Sequence, residues 1–446
     1  MYNTKVATTQ NDNKKITIWS LAFPLFIQTI LSNLINTTGV TVLSGYSETF
    51  VTATSISNQI MVIPLTILNS LVTGTVILSS ISFGKNDKTN AAKICGCGMI
   101  SILTLSFIAG IIIGIFAEQI INLMNLKCKT AQLSVDYLRQ TAIIGLPLQI
   151  MVSAFQKFLI CNGNSKIIPI SSITTGILNA GLSYVVLYIV KLPMSDINAL
   201  ALKTNFAWVA GLTIVIIAFY KLKCPFKLNF NINTFFKIAK IGIPAGMCLI
   251  SYNFSNTITT SFLADLGDTA VNTKVYINNI VGYVPLIIYS LAQANAIIMG
   301  RHRGAGRIED MKTLYRQNIL LGITVNGVLS LVCFILQKPL LSIFTSDKEI
   351  IAMAGIIMLI DIHLQIFRSI NHISENSLNP NGDIKATLVI SVIGAWTFGV
   401  LMGYICCVKL GLGLVGLWIG FCCNEIFNAT MYLIRWNSNK WQNTKI

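Results

Sequence analysis

The chain has 446 residues, of which 11% are charged and 54% are hydrophobic, and its mean hydropathy is +0.69. A soluble domain carries about 25% charged residues, so this chain has too little polar sequence to coat a soluble protein. Its apolar content also excludes intrinsic disorder. The net charge of +16 is typical of nucleic-acid-binding proteins, but such proteins are not this poor in charged residues. We therefore expect a polytopic membrane protein that binds no nucleic acid.

Twelve apolar segments are long enough to cross a bilayer, which takes roughly 20 residues per helix. They are continuous and do not alternate as barrel strands do, which predicts an all-α membrane protein. The segments, numbered spans 1 to 12, lie near residues 17–40, 51–83, 93–116, 135–156, 167–190, 197–220, 236–264, 272–299, 314–336, 350–375, 386–408 and 411–434.

The basic residues predict the orientation of these spans. The N-terminus, the even-numbered loops and the C-terminus contain 22 of the 32 Lys and Arg, nine are assigned to the odd loops, and Arg368 lies within span 10. Because cytoplasmic loops are enriched in Lys and Arg, both terminal tails (1–16 and 435–446) and the basic linker 221–235 are predicted to be cytoplasmic. The eleven cysteines are interpreted as apolar packing residues, and no metal site is expected.

The sequence contains an internal duplication. At an offset of 220 residues, 10 of 37 positions are identical between 24–60 and 244–280, where chance predicts roughly two or three. Gly84 and Gly304 continue that offset, and Gly163 matches Gly382 at 219. The spans therefore form two parallel six-helix repeats, an N-lobe (17–220) and a C-lobe (236–434), with a binding site expected at the repeat interface. A channel is disfavoured because no pore-loop sequence is found.

Polar residues recur inside the spans. The repeated pattern N-x-x-N-T places an amide-rich face on span 1 and again on span 7. Such a face either makes hydrogen bonds between helices or forms the polar wall of a substrate cavity. With neighbouring polar and aromatic residues, the candidates for substrate binding are Asn33, Asn36, Thr37, Tyr252, Asn253, Asn256, Asn278, Asn279, Tyr283, Gln365 and Arg368.

Span 10 has a polar stripe of five residues spaced by three or four: Asp361, Gln365, Arg368, His372 and Glu375. An ionisable residue within a span indicates a functional site. Asp361 is the deepest acid and a candidate carrier of a cation or proton. Arg368 lies two turns away, about 11 Å along the helix, which is too far for direct pairing.

A second acid, Glu425, lies in the apolar run of span 12 beside Asn424. Two interpretations remain open. Glu425 is either a second cation-coupling residue or the structural partner of an arginine.

The chain resembles the multidrug and toxic compound extrusion (MATE) family in LAFPLFIQTILSNLINTTGVTVLSGYS, GNSKIIPISSITTGILNAGLSY, IGIPAGMCLISYNFS, LAQANAIIMGRHRGAG and GLGLVGLWIG…NEI. The resemblance implies two six-helix lobes around a central cleft. It also implies export of bulky, often cationic organic compounds driven by inward Na⁺ or H⁺. We accordingly expect a monomer in the plasma membrane whose partners are lipid and a small organic substrate, with no cofactor beyond the coupling ion.

Other functions fit the sequence less well. A lipid-linked oligosaccharide or polysaccharide flippase of a related superfamily is the main alternative, but such proteins commonly have more spans and a basic central cavity. A major-facilitator transporter is disfavoured because the loop GKNDKTNAAK lacks that group's Gly/Asp/Arg signature. An enzyme is not expected, since the three histidines do not form a catalytic or metal-binding set.

The sequence also departs from the family pattern. Gly39 and Val40 stand where many relatives have Asp-Thr, and Cys248 stands where some have Glu. Ile160 and Asn379 replace an arginine that is usual before each glycine motif. If the chain is a coupled antiporter, coupling is therefore expected in the C-lobe, chiefly at Asp361.

Overall fold

A computed structural model describes residues 17–124, 128–190, 193–264 and 268–444, without the side chains of residues 36, 40, 128, 264 and 268. The predicted N-terminal tail 1–16 and the last two residues of the C-terminal tail lie outside these ranges. Within them the chain is helical and contains no β-strand.

The α-helices of these ranges are α1 (Ile18–Ser44), α2 (Glu48–Gly84), α3 (Lys88–Ile115), α4 (Ala117–Asn122), α5 (Cys128–Gln140), α6 (Leu146–Cys161), α7 (Ile167–Tyr184), α8 (Asp196–Lys221), α9 (Ile232–Ala264), α10 (Asp268–Val281), α11 (Leu286–Gly304), α12 (Ile308–Ile335), α13 (Gln337–Ser342), α14 (Lys348–Leu378), α15 (Ile384–Ile393) and α16 (Gly413–Asn437). The π-helical segments are Thr141–Gly145, Val185–Ile189, Gly394–Met402 and Ile405–Lys409.

These helices confirm the prediction of an all-α protein with twelve spans. In the described ranges, 11 helices are long and apolar enough to cross a membrane, and a bent pair, Thr269–Val281 with Leu286–Gly304, makes the twelfth. The two members of that pair meet at 56°, and Pro285 is the N-cap of the second. Proline has no N–H to continue the helical hydrogen bonds, so a break is expected at this position.

The duplication is visible in the backbone. Helices α3 (Lys88–Ile115) and α12 (Ile308–Ile335) begin and end 220 residues apart, as do α4 and α13. The turn before each contains one left-handed residue, Asn86 with φ 64° and Gly306 with φ 70°. The next turn in each lobe contains a left-handed glycine, Gly163 (φ 80°) or Gly382 (φ 83°), a conformation that favours glycine. The two repeats predicted from sequence therefore share their helix ends.

By their internal contacts the residues form two compact units, Phe23–Gly246 and Met247–Ile446 with Met1–Ala22. The first contains nearly all of the N-lobe, and the second contains the C-lobe except the first part of α9. The division falls within α9, after the predicted linker 221–235.

The linker 221–235 packs against α3. The backbone N–H of Lys227 donates to the Ala92 carbonyl at 3.2 Å, and the Cys97 thiol donates to the Asn231 carbonyl at 3.4 Å. A Cβ on Gly96 would lie 1.9 Å from the Lys227 carbonyl oxygen, so this close approach requires glycine. Burial raises the pKa of Cys224 to about 11, so its thiol is protonated at neutral pH. The linker is thus an ordered part of the first unit.

The C-terminal segment packs against the second unit. The Trp441 side chain is fully buried and stacks on Trp436, with ring centroids 4.4 Å apart, and Trp436 stacks on Tyr315 at 4.1 Å. A guanidinium nitrogen of Arg303 donates to the Gln442 carbonyl at 2.8 Å. Aromatic stacking and charge-assisted hydrogen bonds therefore hold residues that follow α16.

Candidate functional site

A cavity of about 390 Å³ lies within the C-lobe, lined by α9, α10, α14 and α16. We call it the C-lobe cavity, and its ionisable lining residues are Lys274, Asp361, Arg368 and Glu425. Because each comes from within a helix that is apolar enough to span the membrane or belongs to the bent pair, their charges are costly unless they are solvated or paired.

Asp361 is held by neutral hydrogen-bond donors. Its side chain is 3% exposed, accepts from Gln365 Nε2 at 3.1 Å on Oδ2, and from Trp418 Nε1 at 3.4 Å on Oδ1. Among the described residues no basic nitrogen lies within 4.0 Å of this carboxylate. The buried Gln365 Oε1 has no hydrogen-bond partner. The site therefore presents carboxylate and amide oxygens without a positive charge at bonding distance.

Arg368 and Glu425 form an ion pair. Arg368 Nε donates to Glu425 Oε1 at 2.9 Å, and Asn371 Nδ2 donates to Oε2 at 2.7 Å. The Glu425 side chain is 4% exposed. This contact joins α14 to α16 and explains why Arg368 does not approach Asp361, two turns earlier. Glu425 thus has the arginine partner of the structural interpretation, and its part in cation coupling stays a prediction.

Helices α9 and α10 form the other side of the cavity. Three of the predicted substrate-binding residues lie there: Tyr252, Asn256 and Asn278. Lys274 Nζ donates to Thr260 Oγ1 at 2.6 Å. With Gln365 and Arg368 on α14, five predicted residues therefore line one cavity.

The other predicted residues are placed elsewhere. Three of the C-lobe, the exposed Asn253, Asn279 and Tyr283, are outside the lining of this cavity. In α1, Thr37 Oγ1 donates to the Asn33 carbonyl at 3.0 Å, and the equivalent Thr257 of α9 bonds Asn253 in the same way. Neither Asn33 nor Thr37 belongs to the lining of a cavity described below. Asn36 is in α1, but its side chain is outside the described part of the chain.

A second cavity, of about 500 Å³, lies within the N-lobe, and we call it the N-lobe cavity. Helices α1, α2 and α5 to α8 line it, and Gly39 is among the lining residues. No Asp or Glu occurs in the described lining, and its one basic residue is Lys203. The sequence count had placed Lys203 with the loop charges, whereas it lies inside α8. The rule that marked Asp361, an ionisable residue within a span, could have identified it.

Comparison with known proteins gives consistent matches. The family profile MatE matches residues 24–185 and again 244–405, which reproduces the 220-residue offset. The uncharacterized transporter YisQ of Bacillus subtilis is 28% identical over 96% of this chain and 95% of its own. A probable multidrug resistance protein NorM of Thermotoga maritima is 22% identical over 95% and 92%. A crystal structure of MATE in complex with MaL6 aligns with a TM-score of 0.87 at 17% identity, over 96% and 97% of the two chains.

Proposed function

Because the chain belongs to the MATE family of membrane transporters, we propose that it exports organic, often cationic compounds by antiport with Na⁺ or H⁺. In this proposal the chain is a secondary active transporter and not an enzyme. It works as a monomer in the plasma membrane, with both termini in the cytoplasm and no cofactor beyond the coupling ion.

The observation that carries the proposal is the state of Asp361. A carboxylate in a spanning helix is retained at considerable cost, and here its bonded neighbours, Gln365 and Trp418, are neutral. The nearest arginine of its helix stripe, Arg368, is paired with Glu425. Asp361 is therefore free to bind a proton, a sodium ion or the cationic group of a substrate.

Competition at this carboxylate supplies a mechanism of exchange. A cation from outside and a cationic substrate from inside each neutralise Asp361, so binding of one favours release of the other. If the two occupants stabilise different states of the transporter, the ion gradient drives export by alternating access. The amides of Asn256 and Asn278 and the ring of Tyr252 line the same cavity and would contact the substrate body.

Transport by an Asp361→Asn variant tests the proposal. Wild-type and variant proteins are reconstituted into liposomes, and ethidium transport is followed with an imposed Na⁺ gradient and, separately, an imposed pH gradient. We expect the wild type to transport in at least one condition. The variant should match protein-free liposomes in both, because the amide keeps the shape of the side chain but binds no cation.

The matched control is Asp347→Asn, on the same helix. Asp347 is the N-cap of α14 and accepts from the Glu349 N–H at 2.8 Å. Asparagine caps helices about as well as aspartate, so this variant should transport like the wild type. Undiminished transport by Asp361→Asn would refute the proposed role of Asp361. No transport of any cationic compound by the wild type would refute cation export itself.

A further inference from the structure

The N-lobe cavity contains a positive charge whose partners are all neutral. Lys203 Nζ donates to the Asn179 carbonyl at 3.0 Å and to Ser183 Oγ at 2.6 Å, and it also contacts Asn179 Oδ1. Among the described residues no carboxylate lies within 4.0 Å of Nζ. These contacts join α8 to α7 but do not balance the charge of an ammonium group.

The nearest acid along α8 is engaged elsewhere. Asp196 precedes Lys203 by seven residues, which is about 10 Å along the helix. Its Oδ2 accepts a hydrogen bond from the Tyr46 hydroxyl at 2.6 Å. Asp196 is therefore not in position to pair with Lys203.

A buried charge that has only neutral partners favours an incoming counterion. Neutral oxygens satisfy the N–H donors of an ammonium group, but its electrostatic cost within a membrane span remains. A carboxylate that replaces one of these acceptors forms a charge-assisted hydrogen bond, which is roughly twice as strong as a neutral one. The cavity has about 500 Å³ of space in which such a group can reach Lys203.

The same cavity has a second polar group that lacks a partner. Asn205, one turn of α8 or less from Lys203, is 5% exposed, and its Oδ1 is buried without a hydrogen-bond donor. An acceptor in this state costs free energy that a ligand hydroxyl would recover. Apolar side chains of Met61, Leu65 and Trp208 also line the cavity and can contact an organic body.

We propose that the N-lobe cavity binds an organic carboxylate, with its anionic group on Lys203 and a hydrogen-bond donor of the ligand at Asn205. This site is separate from the Asp361 carboxylate on which the proposed cation exchange depends. It gives the protein a ligand class opposite in charge to a cationic drug.

Binding of 6-hydroxy-2-naphthoate to the purified full-length protein tests this inference. Its affinity, from isothermal titration without any ion gradient, is compared with that of the corresponding neutral amide. We expect the wild type to prefer the acid by about tenfold to a hundredfold, the range for a hydrogen bond to a charged group. Lys203→Met should abolish the preference, whereas Lys203→Arg should retain it because the positive charge remains.

Lys157→Met is the matched control. Lys157 is an N-lobe lysine within α6 that donates to Thr73 Oγ1 at 3.4 Å and does not line the cavity, so its removal should leave the preference intact. The wild-type comparison of acid and amide stands even if Lys203→Met does not fold. Equal affinities there, a preference that survives Lys203→Met, or one lost equally in Lys157→Met would each overturn the proposal. An Asp361→Asn protein that still prefers the acid would separate this site from the transport proposal.

Discussion

The C-lobe cavity contains two acids and two bases, Asp361 and Glu425 with Lys274 and Arg368. The N-lobe cavity has Lys203 and, among its described lining residues, no carboxylate. The two volumes, about 390 and about 500 Å³, are of the same order. The lobes therefore differ more in the charge of their cavities than in the space they enclose.

This difference shows which features a duplicated fold retains. Helix ends recur 220 residues apart, and the same turns have left-handed residues, because backbone hydrogen bonding restricts those positions strongly. Side chains that face a cavity are packed on one side only, so changing them costs little stability. The ionisable residues of the two lobes could thus diverge while the scaffold stayed the same.

The largest effect is expected from Arg368→Met. This change leaves the Glu425 carboxylate buried with Asn371 as its remaining hydrogen-bond donor. Removing one partner of a buried ion pair destabilises a protein by about 3–5 kcal/mol. We expect a correspondingly large drop in the thermal unfolding midpoint of the purified protein, or loss of folded protein.

The comparison of the lobes supplies the controls for that result. Lys203→Met removes an ammonium group that has neutral partners, so it leaves no charge unpaired and should destabilise the protein less than Arg368→Met. The double variant Arg368→Met with Glu425→Gln should recover part of the lost stability, since the unpaired carboxylate is also removed. An Arg368→Met protein as stable as the wild type would show that the ion pair does not hold α14 to α16.

A smaller effect is expected when an acid is placed in the N-lobe cavity. Gly39 lines it, and a Cβ at this position would meet no atom within 4 Å, so Gly39→Asp has space for its carboxylate. The new charge would neutralise Lys203 and repel an organic acid. The preference for 6-hydroxy-2-naphthoate over its amide should fall by about tenfold or more in titrations at neutral pH.

Gly39→Asn separates charge from size in this experiment. It adds nearly the same volume without a carboxylate, so it should retain most of the preference for the acid. If Gly39→Asp binds the acid as well as the wild type does, the two cavities do not differ in function through their charge.

Much of the fold could be predicted from the sequence because its signals are local. Apolar length predicts spans, and the identities at an offset of 220 predict two equivalent lobes. The spacing of Asp361, Gln365 and Arg368 placed all three in one cavity, since residues three or four apart share a helix face.

The remaining site residues depend on what each helix face meets, which spacing does not determine. Asn253 and Asn256 belong to one repeated pattern, yet only Asn256 lines the C-lobe cavity. Tyr283 lies in the break between α10 and α11, where a continuous span was predicted. Lys203 was missed because charges near the end of a span were treated as loop residues, and only tertiary contacts reveal that its partners are neutral.

The smallest effect concerns the contact that keeps Asp196 away from Lys203. The Tyr46 hydroxyl lies outside the spanning helices and donates to Asp196 at 2.6 Å, and this hydrogen bond, with some desolvation, raises the pKa of Tyr46 above its usual value near 10. Tyr46→Phe removes one exposed hydrogen bond, so we expect a loss of less than about 1 kcal/mol in unfolding free energy at pH 7.

The dependence on pH identifies the hydrogen bond as the cause. Because the folded pKa of Tyr46 is raised, its stabilising contribution is complete below about pH 10 and is lost as the pH rises through the folded pKa. The difference in unfolding midpoint between wild type and Tyr46→Phe should therefore be constant from pH 7 to 9 and shrink at higher pH. A difference that persists above the folded pKa would instead assign the effect to packing of the Tyr46 ring, whose centroid lies 5.6 Å from that of Tyr188.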